Sequence, residues 1–486
     1  MRPESRKWFA LAILCVAQFM VILDVSIVNV ALPSIERGLH FSQENLLWVL
    51  NAYALMFGGF LMLGGRVADK LGRRRVFVTG VVLFTVASLF CGLATSTGWL
   101  VAARAVQGLG AAILSPAALS ILTVTFAEGS ERNKALSIWG AIAGAGGAFG
   151  VLLGGVLTQE IGWQWIFYVN VPIGALVVLA ASFVLAPSIS QEERKGFDAP
   201  GAVTVTASLV LIVFALVKST DWGWASARTI GTFAAAVVLM AAFVIIERRS
   251  RFPLVPLAIF RNRSLTVSNL VSLALGASIF SMFYFLSLYM QQVLGYSALK
   301  TGVGYLAIAG AIIVAAGAAQ ALVAKVGVRM VMTVGMLLAA GGLVYFAQIS
   351  PDGSYVGTLL PGFLLAGVGL GLSFVPVTIG AMSGVAGPEA GVASGLITTT
   401  QQIGGALGVA VLSTIAVSAT SRFMGANGHG RQASLAALNH GFSLAFWFGA
   451  MLAVIGAVVA FVGMARVPPV GELSGQLTVK VATERV

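Results

Sequence analysis

Charge is what this chain has least of. Only 9% of its 486 residues are Asp, Glu, Lys or Arg, whereas 58% are hydrophobic. A soluble domain carries about 25% charged residues, so this composition cannot cover a water-facing surface. That excludes a soluble enzyme, a disordered chain and a secreted disulfide scaffold, and leaves an integral membrane protein. Cysteine is scarce as well. Cys15 and Cys91 sit in apolar runs and make neither a disulfide framework nor a thiolate metal cage. They carry no information on redox compartment. His40, His429 and His440 lie in loops without metal-ligand spacing and read as solvated. No G-x-x-x-x-G-K-[ST] phosphate loop occurs, so ATP is not the direct energy source through that motif. The glycine strings 144–150 and 367–371 lie inside apolar spans with no strand before them, and read as helix packing.

What is present is a series of long apolar runs. A helix needs about 20 mostly apolar residues to cross the hydrocarbon core. The sequence predicts fourteen: 8–32, 46–65, 76–95, 99–125, 135–158, 164–186, 199–217, 227–246, 264–290, 302–324, 328–349, 355–382, 392–418 and 441–465. None alternates with period two, which disfavours a membrane barrel. The first run opens with Arg6 and Lys7 like a signal peptide, but it is too long for one and no cleavage site follows, so it reads as a retained helix. With an even number of crossings both termini share a side. Of the 29 Lys and Arg residues, 22 fall on the side of the N-terminus and six on the other. The positive-inside rule then places both termini in the cytoplasm. The net charge of +12 is therefore a topology signal. It calls for anionic lipid as a neighbour, not nucleic acid.

The longest polar stretches are 187–198, 247–263, 419–440 and the tail from 466. The first two bracket a pair of spans, with six spans before and six after. The expected fold is thus all-α and polytopic: a six-helix bundle over 1–197, an inserted helical pair and linker over 198–262, and a second six-helix bundle with a cytoplasmic tail over 263–486. Transporters often carry such repeats, with the substrate site between the halves.

Charges at membrane depth are costly and mark function. One of seventeen acidic residues, Asp24, and one basic residue, Arg104, lie well inside spans. Two readings are open. The pair is a structural bridge that fixes two helices, or it is a protonatable carboxylate beside a fixed cation. Arg104 cannot usefully lose its proton. Asp24 can gain one, because desolvation favours the neutral acid and a guanidinium favours the carboxylate. A change in their separation, or a competing cation, then moves a proton. Gln107 and Gly108 share the helical face of Arg104. Gln18, Ser26 and Asn29 are polar company for Asp24. Gly146, Gly150 and Gly154 form a stripe of small residues, read either as packing or as a seam that opens and closes. The loop 65–75, Gly-Arg-Val-Ala-Asp-Lys-Leu-Gly-Arg-Arg-Arg, is either an ordinary basic loop or a charge relay around Asp69 that latches helix ends.

These residues match a family pattern. Gly65 to Arg74 resembles the cytoplasmic G-x-L-a-D-r-x-G-r-[RK] motif of the major facilitator superfamily, with Val67 at the Leu position. LDVSIVNVALP, Leu23 to Pro33, resembles the first-helix motif of its fourteen-helix drug:proton antiporters, the EmrB/QacA type. Leu100 to Gly108 resembles their L-x-x-x-R-x-x-q-G. WQWIFYVNVPIG (163–174), QQVLGYSALKTG (291–302) and GVASGLITTTQQIGGALGVAV (391–411) add to the likeness. The resemblance implies two six-helix bundles around a cavity of alternating access, and proton-coupled export. It implies Gly65, Asp69, Gly72, Arg73 and Arg74 as gating residues, and Asp24 and Arg104 as coupling residues. It also implies Gly146, Gly150, Gly154 and Gly155 as the antiporter-helix glycines. In one place the chain departs. The fifth-helix motif ends G-P-x-x-G-G, and here Val151 stands at the proline, which removes a kink-favouring residue.

The candidate cavity residues are Asn29, Asn51, Tyr53, Gln107, Tyr284, Gln401 and Gln402. Apolar, aromatic walls with one carboxylate suit lipophilic monocations or neutral drugs, and dications poorly. The expected function is a proton-driven drug efflux transporter of the cell membrane, working as a monomer without a cofactor. A periplasmic adaptor is left open. Its rivals are a narrow exporter of one antibiotic, siderophore or metabolite, and an uncoupled facilitator. A membrane enzyme would need a cluster of catalytic groups, and a channel a repeated ring of pore residues; neither pattern is found.

Overall fold

The computed structural model describes residues 3–126, 130–185, 198–385, 390–427 and 430–464. Among these residues the regular structure is entirely helical. A helix bonds its own backbone groups within the segment, which lets it cross a phase that offers no water. Large apolar side chains such as Leu176, Phe183, Val237 and Val314 point outward, where lipid accepts them. The charged pair Asp24 and Arg104 is buried instead, at 0% and 1% exposure.

The first packed group holds α1 (Pro3–Leu39), α2 (Gln43–Leu46), α3 (Trp48–Leu71), α4 (Arg73–Gly92), α5 (Thr97–Thr125), α6 (Ser130–Glu160), α7 (Trp165–Tyr168) and α8 (Asn170–Val184). Next come α9 (Ala199–Trp222) and α10 (Ala227–Arg249), which pair with each other. The second group holds α11 (Arg263–Leu288), α12 (Ala298–Gly304), α13 (Leu306–Phe346), α14 (Leu360–Met382), α15 (Ala390–Asn427) and α16 (Arg431–Gly463). Many starts are capped by the residue type that satisfies free backbone N–H groups. Ser96, Asp198, Ser226 and Asn262 each accept a backbone N–H three residues on. Gly72 separates α3 from α4 at φ 96, a conformation that L side chains rarely adopt.

Twelve helices among the described residues are long and apolar enough to cross a membrane. The sequence predicts fourteen spans, and the two counts differ at two places. The predicted spans 302–324 and 328–349 fall in one stretch, Ala298–Phe346, of 49 residues. Gly327 breaks its helical path, at φ 84 and ψ 159. The predicted span 135–158 lies within α6, which is not among the twelve.

The two groups meet along several lines. α3 packs on α15, α1 on α11 and α12, and α6 on α12 and α13. α9 lies against both α3 and α15, so the inserted pair sits over a joint between the groups. Where α1 and α11 end, side chains stitch the joint. Ser287 Oγ donates to Asn29 O at 2.6 Å, Gln291 Nε2 to Val30 O at 2.8 Å, and Gln292 Nε2 to Glu36 Oε2 at 2.6 Å.

Candidate functional site

Five helices of the first group converge on Asp24. Arg104 of α5 donates from Nη1 to Asp24 Oδ2 at 2.6 Å, and the same nitrogen donates to Gln107 Oε1 at 2.6 Å. Arg104 Nε donates to Val49 O on α3 at 2.9 Å. Its guanidinium lies over the Tyr53 ring, 4.4 Å from the centroid, with the Phe167 ring at 5.7 Å. On the other carboxylate oxygen, Gln107 Nε2 donates at 2.8 Å and Asn170 Nδ2 at 3.0 Å. Ser88 of α4 accepts from both amides. The charges thus neither face water nor stand alone. Burying an ion pair is tolerable only with such extra hydrogen bonds. The contact is made; it accommodates a structural bridge and a titrating carboxylate alike.

The glycine stripe of α6 lies on the helix that carries Asp24. A Cβ at Gly146 would approach Ile22 Cβ to 3.1 Å, one at Gly150 Ser26 Cβ to 2.7 Å, and one at Gly154 Ile27 O to 2.8 Å. Gly155 turns to the second group, where a Cβ would come to 2.7 Å from Ala298 O on α12. Val151 sits at the same joint, with its carbonyl oxygen against Gly302.

The predicted cavity residues do not gather in one place. Tyr53 and Gln107 join the Asp24 cluster. Asn51 and Gln402 lie at the α3–α15 joint: Asn51 Nδ2 donates to Ala406 O at 3.0 Å, and Gln402 packs on Gly58. Gln401 is half-buried, with its backbone oxygen beside Gly276. Asn29 bonds within its own helix, to Val25 O at 2.9 Å. Tyr284 is buried in the second group and lines a small pocket with Gln43, Phe285, Ser413 and Phe442.

Of the predicted gating residues, Gly65 packs on Pro116, and Gly72 makes the sharp turn into α4, which Arg73 opens. Arg74 Nη2 donates to Ser182 O on α8 at 2.5 Å. The side chain of Asp69 lies outside the described residues. The neighbouring Arg66, which the sequence presents only as a topology charge, donates to Phe252 O at 2.8 Å and to Pro253 O. Glu247 of α10 accepts the backbone N–H groups of Leu254 and Val255, at 3.1 and 3.3 Å. The loop region of α3 thus holds the linker that follows the inserted pair. Ser88 and Asn170 were also not singled out. Asn170 lies in the 163–174 motif, but Ser88 carries no sequence signal, being one small hydroxyl in an apolar run.

Comparison with known proteins adds to this geometry. The pattern of the Major Facilitator Superfamily matches residues 14–409. The puromycin resistance protein pur8 of Streptomyces alboniger is 37% identical over 95% of this chain and 92% of its own length. The cephamycin export protein CmcT of Amycolatopsis lactamdurans is 42% identical over 85% of each chain. The tetracenomycin C resistance and export protein of Streptomyces glaucescens is 36% identical over 85% of this chain and 77% of its own. Among solved structures, an inward-facing bacterial homologue of the human lysosomal transporter Spinster superposes with a TM-score of 0.68 at 17% identity, covering 94% of this chain and 97% of that one. The POT family transporter PepTSo superposes with a TM-score of 0.69 at 14% identity, covering 95% and 97%. At these identities the structures show the fold alone.

Proposed function

The chain belongs to the Major Facilitator Superfamily, and from that premise we propose that it exports lipophilic monocationic or neutral drugs in exchange for protons. It is a multi-pass membrane transporter and not an enzyme. The observation that carries the proposal is the buried Asp24–Arg104 contact at 2.6 Å. A carboxylate at that depth can accept a proton, and a guanidinium that stays charged favours its release. Binding a cationic drug near Asp24 competes with the proton. Alternating access then delivers the two to opposite sides. One deep carboxylate balances one positive charge, so dications are poor cargo. Each net charge moved adds about 2.3 kcal/mol per 100 mV of membrane potential.

The topology belongs to the same proposal. Ala298–Phe346 crosses twice, bending at Gly327, and α6 crosses once, which brings twelve candidates to fourteen crossings. The basic asymmetry puts both termini in the cytoplasm and anionic lipid beside them. The stitched ends of α1 and α11 then face outward. On this reading the joint is closed on that side. Gly65, Asp69, Gly72, Arg73 and Arg74 gate the inner side, and the protein works as a monomer.

A second reading is favoured by the relatives. Cephamycin export and tetracenomycin C resistance and export each name one antibiotic, which supports a narrow exporter as well as a broad one. The deciding experiment uses everted vesicles with an imposed pH gradient, ethidium and puromycin as cargo, and Asp24→Asn beside wild type. Cargo-driven proton release by wild type, lost in Asp24→Asn, is the expected result. Cargo movement without proton release would leave an uncoupled facilitator, with Val151 as its cause. Puromycin exchange without ethidium exchange points to the narrow exporter.

A further inference from the structure

Two amides and a hydroxyl close a ring around one oxygen of Asp24. Gln107 Nε2 donates to Asp24 Oδ1 at 2.8 Å and to Ser88 Oγ at 3.0 Å. Asn170 Nδ2 donates to the same two oxygens, at 3.0 Å each. Both protons of each amide are used on one shared pair of acceptors. Ser88 donates its own proton outward, to Phe167 O at 3.0 Å. Every bond in the ring therefore has a fixed direction. Asp24 Oδ1 only accepts, and a protonated acid has no partner in the ring to which it can donate. α1, α4, α5 and α8 each supply one member.

We propose that Asn170 is a positioning residue that reads the protonation of Asp24 and passes it to α8. The inference rests on the proton-coupled reading given above. As a carboxylate, Asp24 needs donors, and Asn170 Nδ2 is one. As an acid, it needs an acceptor for its O–H. Gln107 Oε1 is already engaged, by Arg104 at 2.6 Å and by the Cys91 thiol at 3.6 Å. Asn170 Oδ1 is buried and accepts no hydrogen bond. Rotation of that one amide exchanges donor for acceptor at the carboxyl. Gln107 cannot do the same without releasing Arg104. The rotation also breaks the bond to Ser88, and with it a tie between α8 and α4. Proton arrival on α1 thus changes how α8 is held. The titratable groups that face Asp24 are Arg104 from α5, Tyr53 from α3 and Cys91 from α4. α6 faces this part of α1 with Gly150, and α8 presents Asn170. None of those groups is altered when Asn170 is replaced.

The test is infrared difference spectroscopy of the purified full chain across pH, following the carboxylic-acid C=O stretch that Asp24→Asn removes. Asn170→Leu takes away a charge-assisted donor, so the acid persists to higher pH and the midpoint rises by about one pH unit. The frequency of the acid band moves as well, because its acceptor is gone. Asn170→Gln keeps an amide and stays closer to wild type. Ser88→Ala frees both amides from their second anchor and shifts the midpoint in the same direction. If wild type has no band that Asp24→Asn removes, the proton-coupled reading itself fails. If the band is present and both Asn170→Leu and Ser88→Ala leave its midpoint and frequency unchanged, the role of Asn170 is overturned. Should Asn170→Leu fail to accumulate, Ser88→Ala decides on the same criteria.

Discussion

Arg104 makes three hydrogen bonds with two nitrogens, to Val49 O, Asp24 Oδ2 and Gln107 Oε1. A lysine offers one compact point charge and cannot reproduce that fork. With its side chain 1% exposed and that of Asp24 fully enclosed, removing either charge strands the other. Arg104→Leu is expected to lower stability by about 3–5 kcal/mol, read from chemical or thermal unfolding in detergent. Removing both charges, in Asp24→Leu with Arg104→Leu, recovers most of that loss; a double variant no more stable than the single one counts against a coupled pair. This pair was legible in the sequence because ionised groups at membrane depth are rare and expensive. Ser88 and Asn170 were not, because neutral polar residues are common in membrane helices and gain meaning only from what they touch. Asn51 shows the same limit from the other side. Its polarity marked it for a cavity, and the structure uses it to fasten α3 to a backbone carbonyl of α15.

Helices that carry proline inside them leave one carbonyl without its usual donor four residues on. In α1, Pro33 frees Asn29 O, and Ser287 Oγ of α11 takes the place of the missing N–H at 2.6 Å. In α5, Pro116 frees Ala112 O, and the backbone of Gly64 lies directly on it, where a Cβ would collide. The freed carbonyl is thus bonded by a hydroxyl in one helix and closely covered by a glycine backbone in the other. Gly64→Ala is expected to cost about 1–3 kcal/mol through overpacking. Gly98→Ala, whose Cβ would meet nothing within 4 Å, is expected to be neutral in the same unfolding measurement. Equal losses at both sites would remove the packing argument. Span positions followed from apolar length alone, so they were readable along most of the chain. Gly327 lies in the gap between predicted spans 302–324 and 328–349, and there the backbone leaves helical φ and ψ for one residue with helix on either side. Hydropathy shows where a stretch stops being apolar, not how many residues the chain spends between one helix and the next.

At the scale of the molecule, three of the polar bonds that join the two bundles among the described residues gather where α1 and α11 end. Ser287 and Gln291 each bond a carbonyl of α1 across the joint. Two neutral hydrogen bonds contribute about 1 kcal/mol each, so Ser287→Ala with Gln291→Leu is expected to raise the open population on that side roughly thirtyfold. Spin-label distances between the ends of α1 and α11 read that population; an unchanged distance distribution would show that these two bonds do not hold the joint. The 6 + 2 + 6 layout came from linker spacing, but the seat of the inserted pair against both α3 and α15 did not, because a lipid-facing helix looks alike wherever it docks. The complete enclosure of Asp24 bears on what the protein does when no cargo is present. Under the proposed coupling, bulk protons reach the carboxyl only after the five helices around it part, and the rate of idle leak is then the rate of that separation. A cell that keeps a transporter of that proposed kind in its membrane all the time then loses little of its gradient while it waits.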